Sequence, residues 1–495
     1  MEDNRPPYCA PRWHTHTFVH DYGSRATRSP APYKKDGNNV RGPQQLMALF
    51  RYSLLSLVVA SLFVASTVAV LPGRRMGFSV THLAPRASLN QTWGQYSPYF
   101  ATTPYQSPPD DCEISQVNVI ERHGARYPTN GATERILEAL AQFDNVTEFT
   151  DAKAAFLANY SYDLGVSTLI RAGAEESYDA GAEIFARYNA LVSDDAIPFV
   201  RASGSDRVVD SATNWTAGFS AASDYFFNPT LNLIISEELN DTLDDAMCPN
   251  VGDSDAQTDQ WTSIFAAPIV ERLNSAAIGA NLTATNIYNL MSMCSFDTLA
   301  KETPSPFCDL FTEDEFEGFA YVGDLDKYYG TGYGQELGRV QGVGYINELI
   351  ARLTGEAVVD NTQTNRTLDS SNETFPLDRT IYADFSHDNQ MIAIYSAMGL
   401  FPQTTALDPT SPDASRTWRA ANLVPFAARM VTERLACGEE TYVRVLVNDA
   451  LQPLEFCGSG DGTCTLDAFV ESQAYARNNG EGDFEKCGWV PESSS

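Results

Sequence analysis

Apolar residues in this chain follow three patterns, and each predicts a different element. Short β-rich runs stop abruptly at polar turns. Val117, Val119 and Ile120 run into Arg122-His123-Gly124, Pro198-Phe199-Val200 into Arg201, and Thr380–Phe385 (TIYADF) into Ser386-His387-Asp388. The first and third predict buried strands, with Val443–Val447 as a late one, whereas the second, strand-like but followed by Arg201-Ala202-Ser203-Gly204-Ser205-Asp206-Arg207, reads on its own as a surface loop with two arginines. A second set recurs with helical spacing, as Ile136, Leu137, Leu140 and Phe143 do within Thr133–Phe143. The same period predicts helices over Ala154–Tyr160, Ala172–Leu191, Gln260–Leu273, Thr285–Met293, Tyr345–Leu353 and Gln390–Leu400. Thr312 and Glu315 are spaced as a capping box at the start of another. The third pattern is Tyr52–Leu71, twenty residues without a charge.

Strands alternating with helices predict an α/β fold. Its sheet-forming parts are expected at about 88–145 and 325–495, separated by a mainly helical insertion at about 146–324. Residues 76–111 form a Pro/Ser/Tyr-rich lead-in whose WGQYSPYF segment, Trp93–Phe100, can pack aromatic surface. Gly330–Gly344 holds six glycines but neither GxxxxGK nor GxGxxG, which excludes the nucleotide-binding loops and leaves a flexible connection. Residues 355–377 are polar and predict a surface excursion.

The uncharged stretch decides where the body works. As a helix Tyr52–Leu71 can cross a bilayer, and the eight Lys/Arg before it would keep the N-terminus cytoplasmic. Read instead from Met47, MALFR is a basic n-region and Tyr52–Ala65 an apolar h-region. A cleavage site around Thr67-Val68-Ala69 then completes a signal peptide over 47–71. Residues 1–46, Pro/Arg-rich, are expected to be disordered, with the body spanning 72–495. Either way the body is exported: secreted, or held outside by residues 52–71. Eight N-x-Ser/Thr sequons agree, at Asn90, Asn145, Asn159, Asn214, Asn240, Asn281, Asn365 and Asn372. So do eight body cysteines, an even number that reads as four disulfides. Cys457–Cys464 and Cys294–Cys308 are natural local pairs, and sequence leaves the rest of the connectivity open. Structural zinc is not expected, because the C-x-x-C pairs and histidine partners are missing.

Charge is lopsided. Residues 1–75 carry ten Lys/Arg against four Asp/Glu, and the remainder 23 against 60. So acidic a body excludes non-specific nucleic-acid binding and suits acidic pH, where its carboxylates are partly protonated. Only three histidines occur beyond the apolar stretch, His82, His123 and His387, and two of them stand at predicted strand ends. With Arg122 and Arg126 beside His123 and Asp388 following His387, this composition points to phosphoryl transfer without a metal or other cofactor. Guanidinium forks bind phosphate oxygens, an imidazole can attack phosphorus, and a carboxylic acid can protonate the leaving alcohol. There is no G-x-S-x-G of a serine hydrolase.

Arg122-His123-Gly124-Ala125-Arg126-Tyr127-Pro128-Thr129 together with His387-Asp388 resembles the histidine acid phosphatase family, most closely its fungal phytase A branch. The likeness extends through WGQYSPYF, MCSFDT (Met293–Thr298), PFCDLFT (Pro306–Thr312), KYYG (Lys327–Gly330), QGVGYINELIARLT (Gln341–Thr354) and ADFSHDN (Ala383–Asn389). It implies a phosphoglycerate-mutase-like α/β sandwich domain with a smaller inserted α-domain, and a monomer is expected. It also implies His123 as the nucleophile that becomes phosphohistidine and Asp388 as the proton donor, with Arg122, Arg126, Arg201 and His387 holding the phosphate. The implied disulfides are Cys112–Cys437, Cys248–Cys487, Cys294–Cys308 and Cys457–Cys464.

The chain departs from that branch at three places. A cysteine pair before Trp93 is missing, the Lys-Lys before Tyr-Tyr-Gly is Asp326-Lys327, and a pocket lysine near Phe156-Leu157 is replaced by Ala158. Lys153 and Lys327 remain as candidates for the substrate pocket. The expected function is hydrolysis of myo-inositol hexakisphosphate (phytate) at acidic pH, falling as Asp388 loses its proton. The alternatives are a broad phosphatase of small monoesters and a non-catalytic phosphate-binding protein.

Overall fold

The parallel core that the sequence patterns anticipate is present, and it is wider than they anticipate. In the computed structural model, which describes residues 89–490, one sheet contains β1 (Cys112–Arg122), β2 (Phe199–Ser203), β3 (Leu231–Ile235), β4 (Ile381–Ser386), β5 (Arg429–Cys437), β6 (Glu440–Val447), β7 (Ala450–Leu451) and β8 (Cys464–Thr465). The order is β8-β6-β5-β1-β4-β2-β3, with β7 on the end of β6. β1, β4, β2 and β3 run parallel, and β5 turns the sheet antiparallel from β1 outward. Tyr52–Leu71, the N-terminal tail and the proposed cleavage site lie outside the described residues. Among the described residues no helix is long and apolar enough to cross a membrane.

Helices cover both faces, which is why the central strands are apolar on both sides. Val117 and Val119 of β1 pack against α2 (Arg171–Tyr188) and α3 (Asp206–Ala222) through Ile184, Val208, Trp215 and Phe219. Ile120 faces the other way, into a cluster built on α6 (Val343–Thr354) and α7 (Asp388–Met398). A third cluster joins α1 (Asn130–Ala141), α4 (Ala284–Lys301) and α5 (Glu313–Gly330) through Ile136, Met291, Phe296 and Phe319, and it takes in Trp93 from the lead-in. Thr312 and Glu315 do form the capping box that opens α5.

Several expectations need correction. β2 and β3 lie inside the range read as a helical insertion, 146–324, yet both belong to the central sheet. Gln260–Leu273 is two helices, Asp255–Phe265 and Ala267–Ala276, because Pro268 has no N–H with which to continue the ladder. Ala154–Tyr160 is only a 3-10 turn, Ala155–Asn159.

The four disulfides are Cys112–Cys437, Cys248–Cys487, Cys294–Cys308 and Cys457–Cys464. The first staples β1 to β5 where those residues are register partners. Of the sequons, Asn145, Asn159, Asn281 and Asn372 are exposed, whereas Asn214, Asn240 and Asn365 are half-buried. The Asn240 amide is already donated to the carbonyls of Thr362 and Thr364.

Candidate active site

Two parallel neighbours end side by side. Register pairs Arg122 of β1 with Ser386 of β4, and the His123 amide donates to the Ser386 carbonyl at 3.0 Å. The next residue out of each strand is a histidine, and the two rings lie 5.7 Å apart. The carboxyl ends of adjacent parallel strands are where open α/β sheets place their ligands. α7 starts at Asp388 and α3 at Asp206, so both helix N-termini open beside these strand ends, a favourable setting for an anion.

The loop after His123 is held in shape by close backbone approach. A Cβ on Gly124 would sit 2.2 Å from the Gly173 carbonyl oxygen, and one on Gly173 2.1 Å from that of Ala125. Glu176 of α2 accepts the amides of Ala125 at 2.8 Å and Tyr99 at 3.0 Å.

His123 is fully buried. Its Nδ1 lies 2.9 Å from the Gly124 carbonyl oxygen, which can only accept, so the ring proton sits on Nδ1 and the Nε2 lone pair is free. Burial, then Arg122, Arg126, His387 and Arg207, hold the imidazole well below its ordinary range. It therefore stays neutral and nucleophilic into acidic solution.

The cations around it are buried too. Arg122 is anchored through Nη1 to the carbonyls of Gln95 (2.5 Å) and Val424 (2.6 Å), and its guanidinium lies 4.6 Å from the Phe426 ring centroid. Its Nη2 reaches Asp388 Oδ2 at 3.1 Å. Arg126 donates to the Tyr127 carbonyl, while burial and Arg122 bring it down to about 10, still cationic at working pH. Arg122 Nε, Arg126 Nε and Arg207 Nε are buried without a protein partner, donors available to an anion.

Arg201 does not join them. It lies on β2 and is fully buried against Asp384 (2.8 Å) and Glu348 (2.6 Å), with Arg352 gripping the same Asp384 at 2.6 Å. Strand alternation turns its side chain towards α6 instead of the strand ends. The arginine that reaches the site is Arg207, six residues on in the first turn of α3, with Nη2 donating to His387 Nδ1 at 3.2 Å. It stands in the same Arg-Ala-Ser-Gly-Ser-Asp-Arg stretch, and the position of a helix start was the missing signal. Removing Asp384 would leave Arg201 and Arg352 buried and uncompensated. Asp384→Ala is expected to cost roughly 3–5 kcal/mol in denaturant unfolding, and a loss under about 1 kcal/mol would deny the network that role.

Asp388 also differs from its expected state. Burial raises its carboxyl, but Arg122, Lys327, His123 and Arg126 outweigh that and hold it well below the usual carboxylate range. In the free site it is therefore ionised, not the protonated acid the sequence leads one to expect. Lys327, on α5, lies 3.2 Å from Asp388 Oδ2, 3.1 Å from Asp326 Oδ2 and 2.7 Å from Asn389 Oδ1. Its three donors are thus committed. Lys153 is exposed and takes no part in these contacts.

His387 is bracketed: Nδ1 accepts from Arg207, and Nε2 lies 3.1 Å from Glu237 Oε1 and 3.7 Å from Asp244 Oδ1. These three side chains are also the one group among the described residues spaced to offer a cation three ligand atoms, all within 4.8 Å. Asp244 is raised to about 6 by burial and by Asp245, with Glu237 adding to the effect and His387 opposing it. As pH rises through that value an anion appears beside His387. The ratio kcat/KM is therefore expected to fall across about pH 6, and Asp244→Asn to move the fall upward. Superimposable pH–rate profiles would exclude Asp244 as its source.

A neutral, buried imidazole with a free Nε2, ringed by three arginines and faced by a carboxylate, is built to take and release a phosphoryl group. The profile of the histidine phosphatase superfamily (branch 2) matches residues 113–448. The chain belongs to that superfamily. Among its histidine phosphatase relatives, the "Phytase A" of Arthroderma benhamiae is 42% identical over 460 residues, covering 87% of this chain and 98% of its own. That of Emericella nidulans is 43% identical over 420 residues, covering 79% and 90%. In three dimensions the histidine phosphatase fold is shared with the phytase from D. castellii, at TM-score 0.69 and 26% identity, over 82% of this chain and 89% of that one. A Bifidobacterium longum multiple inositol polyphosphate phosphatase solved with phosphate matches in fold alone, at TM-score 0.55 and 15% identity, over 78% and 98%.

Proposed function

We propose that this chain is a phytase, an exported acid phosphomonoesterase that removes phosphates from myo-inositol hexakisphosphate through a phosphohistidine on His123. The observation that carries the reading is the His123 ring itself, with Nδ1 spent on Gly124 and Nε2 free among Arg122, Arg126 and Arg207. The names of its relatives supply the substrate class, and the four disulfides suit export.

In the first step His123 Nε2 bonds to phosphorus as the P–O bond to the inositol breaks, and the leaving oxygen takes a proton from Asp388. In the second, water attacks the phosphohistidine and gives a proton back to Asp388, releasing inorganic phosphate and His123. Asp388 must be protonated for the first step although it is ionised in the free site. An arriving phosphate neutralises the cations that hold its carboxyl down, so Asp388 takes up a proton from solvent or from the substrate monoanion.

One observation favours the broad-phosphatase alternative. Lys327 is saturated by Asp326, Asp388 and Asn389, so no free lysine is left there for a second substrate phosphate. The deciding measurement is kcat/KM for phytate and for p-nitrophenyl phosphate on purified protein at about pH 5, where site arginines are charged and surface carboxylates partly neutral. Phytate is expected to equal or exceed the small ester. A deficit of about two orders of magnitude, about 2.7 kcal/mol of transition-state stabilisation, makes the chain a general acid phosphatase instead.

A further inference from the structure

Three parallel strands end around one carboxylate that the reaction itself does not use. Glu237 lies two residues beyond β3. Its Oε1 accepts from Ser203 Oγ at the end of β2 (3.0 Å), from the Ser205 amide at the N-cap of α3 (2.9 Å), and from His387 Nε2 beyond β4 (3.1 Å). Its Oε2 lies 3.4 Å from Ser205 Oγ. Two turns of chain that carry phosphate-binding groups, one with Arg207 and one with His387, are therefore pinned to the same side chain.

We propose that Glu237 is a positioning residue for phosphate binding: it fixes the His387 ring through Nε2 and the start of α3 through Ser205, so that the His387 ring and Arg207, in contact with each other, stay beside His123. This rests on the reading of His387 as a phosphate ligand, in which Nδ1 takes up a proton and donates it to the anion that replaces Arg207 as its partner, while Nε2–H stays on Glu237. The geometry gives the reason a carboxylate is used. An oxygen that accepts three hydrogen bonds at once needs the electron density of an anion, and the hydrogen bond from His387, ahead of burial, brings Glu237 down to about 2, so it is ionised throughout the working range. Since Nε2–H is given to Glu237, the nitrogen on the Arg207 side is Nδ1, and the ring cannot flip without losing both partners. Asp241 Oδ2 also lies 2.7 Å from Ser203 Oγ, so the strand end keeps a partner when Glu237 is changed, and the fold should tolerate the substitution.

Glu237→Gln keeps shape and loses the charge. It is expected to lower kcat/KM for phytate on the order of 10- to 100-fold, the scale seen when an orienting partner is taken from a functional histidine, and to weaken inhibition by inorganic phosphate in parallel. The unfolding midpoint should stay near that of the unaltered protein. In the unaltered protein an imidazole N–H proton resonance from His387 Nε2, hydrogen-bonded and slow to exchange, is expected, and it should disappear in Glu237→Gln. A folded variant with kcat/KM within twofold of the parent, or a parent protein with no proton on His387 Nε2, overturns the proposal. His387→Ala measured alongside separates the two readings. If it too is fully active, the phosphate-ligand reading of His387 is wrong. If it is impaired while Glu237→Gln is not, only the positioning role fails.

Discussion

His123→Ala is expected to reduce turnover by roughly 10⁴- to 10⁶-fold, the loss typical of removing a covalent nucleophile whose partners cannot substitute for it. The geometry explains why no neighbour takes over. His387, the only other described histidine, has one ring nitrogen held by Arg207 and the other by Glu237, so it offers no free lone pair to phosphorus. A water in the vacated space would have to attack without the base that deprotonates it, because the proposed mechanism commits Asp388 to the leaving group in that step. The arginines remain, so the variant should still bind inorganic phosphate, and loss of kcat should far exceed any change in KM. Rapid acid-free quenching with radiolabelled substrate should trap a base-stable, acid-labile phosphoprotein in the parent and none in the variant. Turnover retained above about a hundredth of the parent value, or labelled protein in the absence of His123, would remove the phosphohistidine from the mechanism.

The reacting half of this site was readable from the chain because both arms sit at ends of short apolar strands, where polarity changes within one residue. Val119-Ile120 into Arg122-His123, and Phe385 into His387-Asp388, announce themselves. The structure adds what pattern conceals. β5 was not anticipated because Arg429, Thr432 and Glu433 interrupt its apolar run, yet all three are buried. Glu433 is satisfied inside by Tyr105, Tyr188 and Arg444, and Arg429 by Glu183. Buried polar pairs of this kind erase the alternation that identifies a strand. The same masking misassigned Arg201. An arginine at a strand end beside small turn residues has the same local sequence whether it points to the ligand or to a buried carboxylate, and its partner Asp384 is far away in the chain. Arg207 was overlooked for the complementary reason, since its role depends on α3 starting at Asp206. Glu237 and Asp244 carry no local signature at all. They matter only because β3 lies next to β2 and, through it, near β4.

Asp388→Asn should separate the two chemical steps by leaving group. Release of an inositol alkoxide needs a proton at the bridging oxygen, and in the proposed mechanism Asp388 gives it, so phosphate release from phytate is expected to fall by about 10²- to 10⁴-fold. p-Nitrophenolate leaves unprotonated. With that ester the first step should remain fast, giving a burst of p-nitrophenol, while hydrolysis of the phosphohistidine slows for want of a base and the covalent protein accumulates. The substitution also removes the anion 3.1 Å from Arg122 and 3.2 Å from Lys327. Both cations are then free to turn to phosphate, so inhibition by inorganic phosphate should tighten even as turnover collapses. These opposite movements cannot come from general damage to the fold, which would weaken binding and catalysis together. Stopped-flow kinetics on the two esters tests the assignment directly. An equal loss in the first turnover of both would mean that Asp388 acts on the phosphoryl group and not on the departing oxygen.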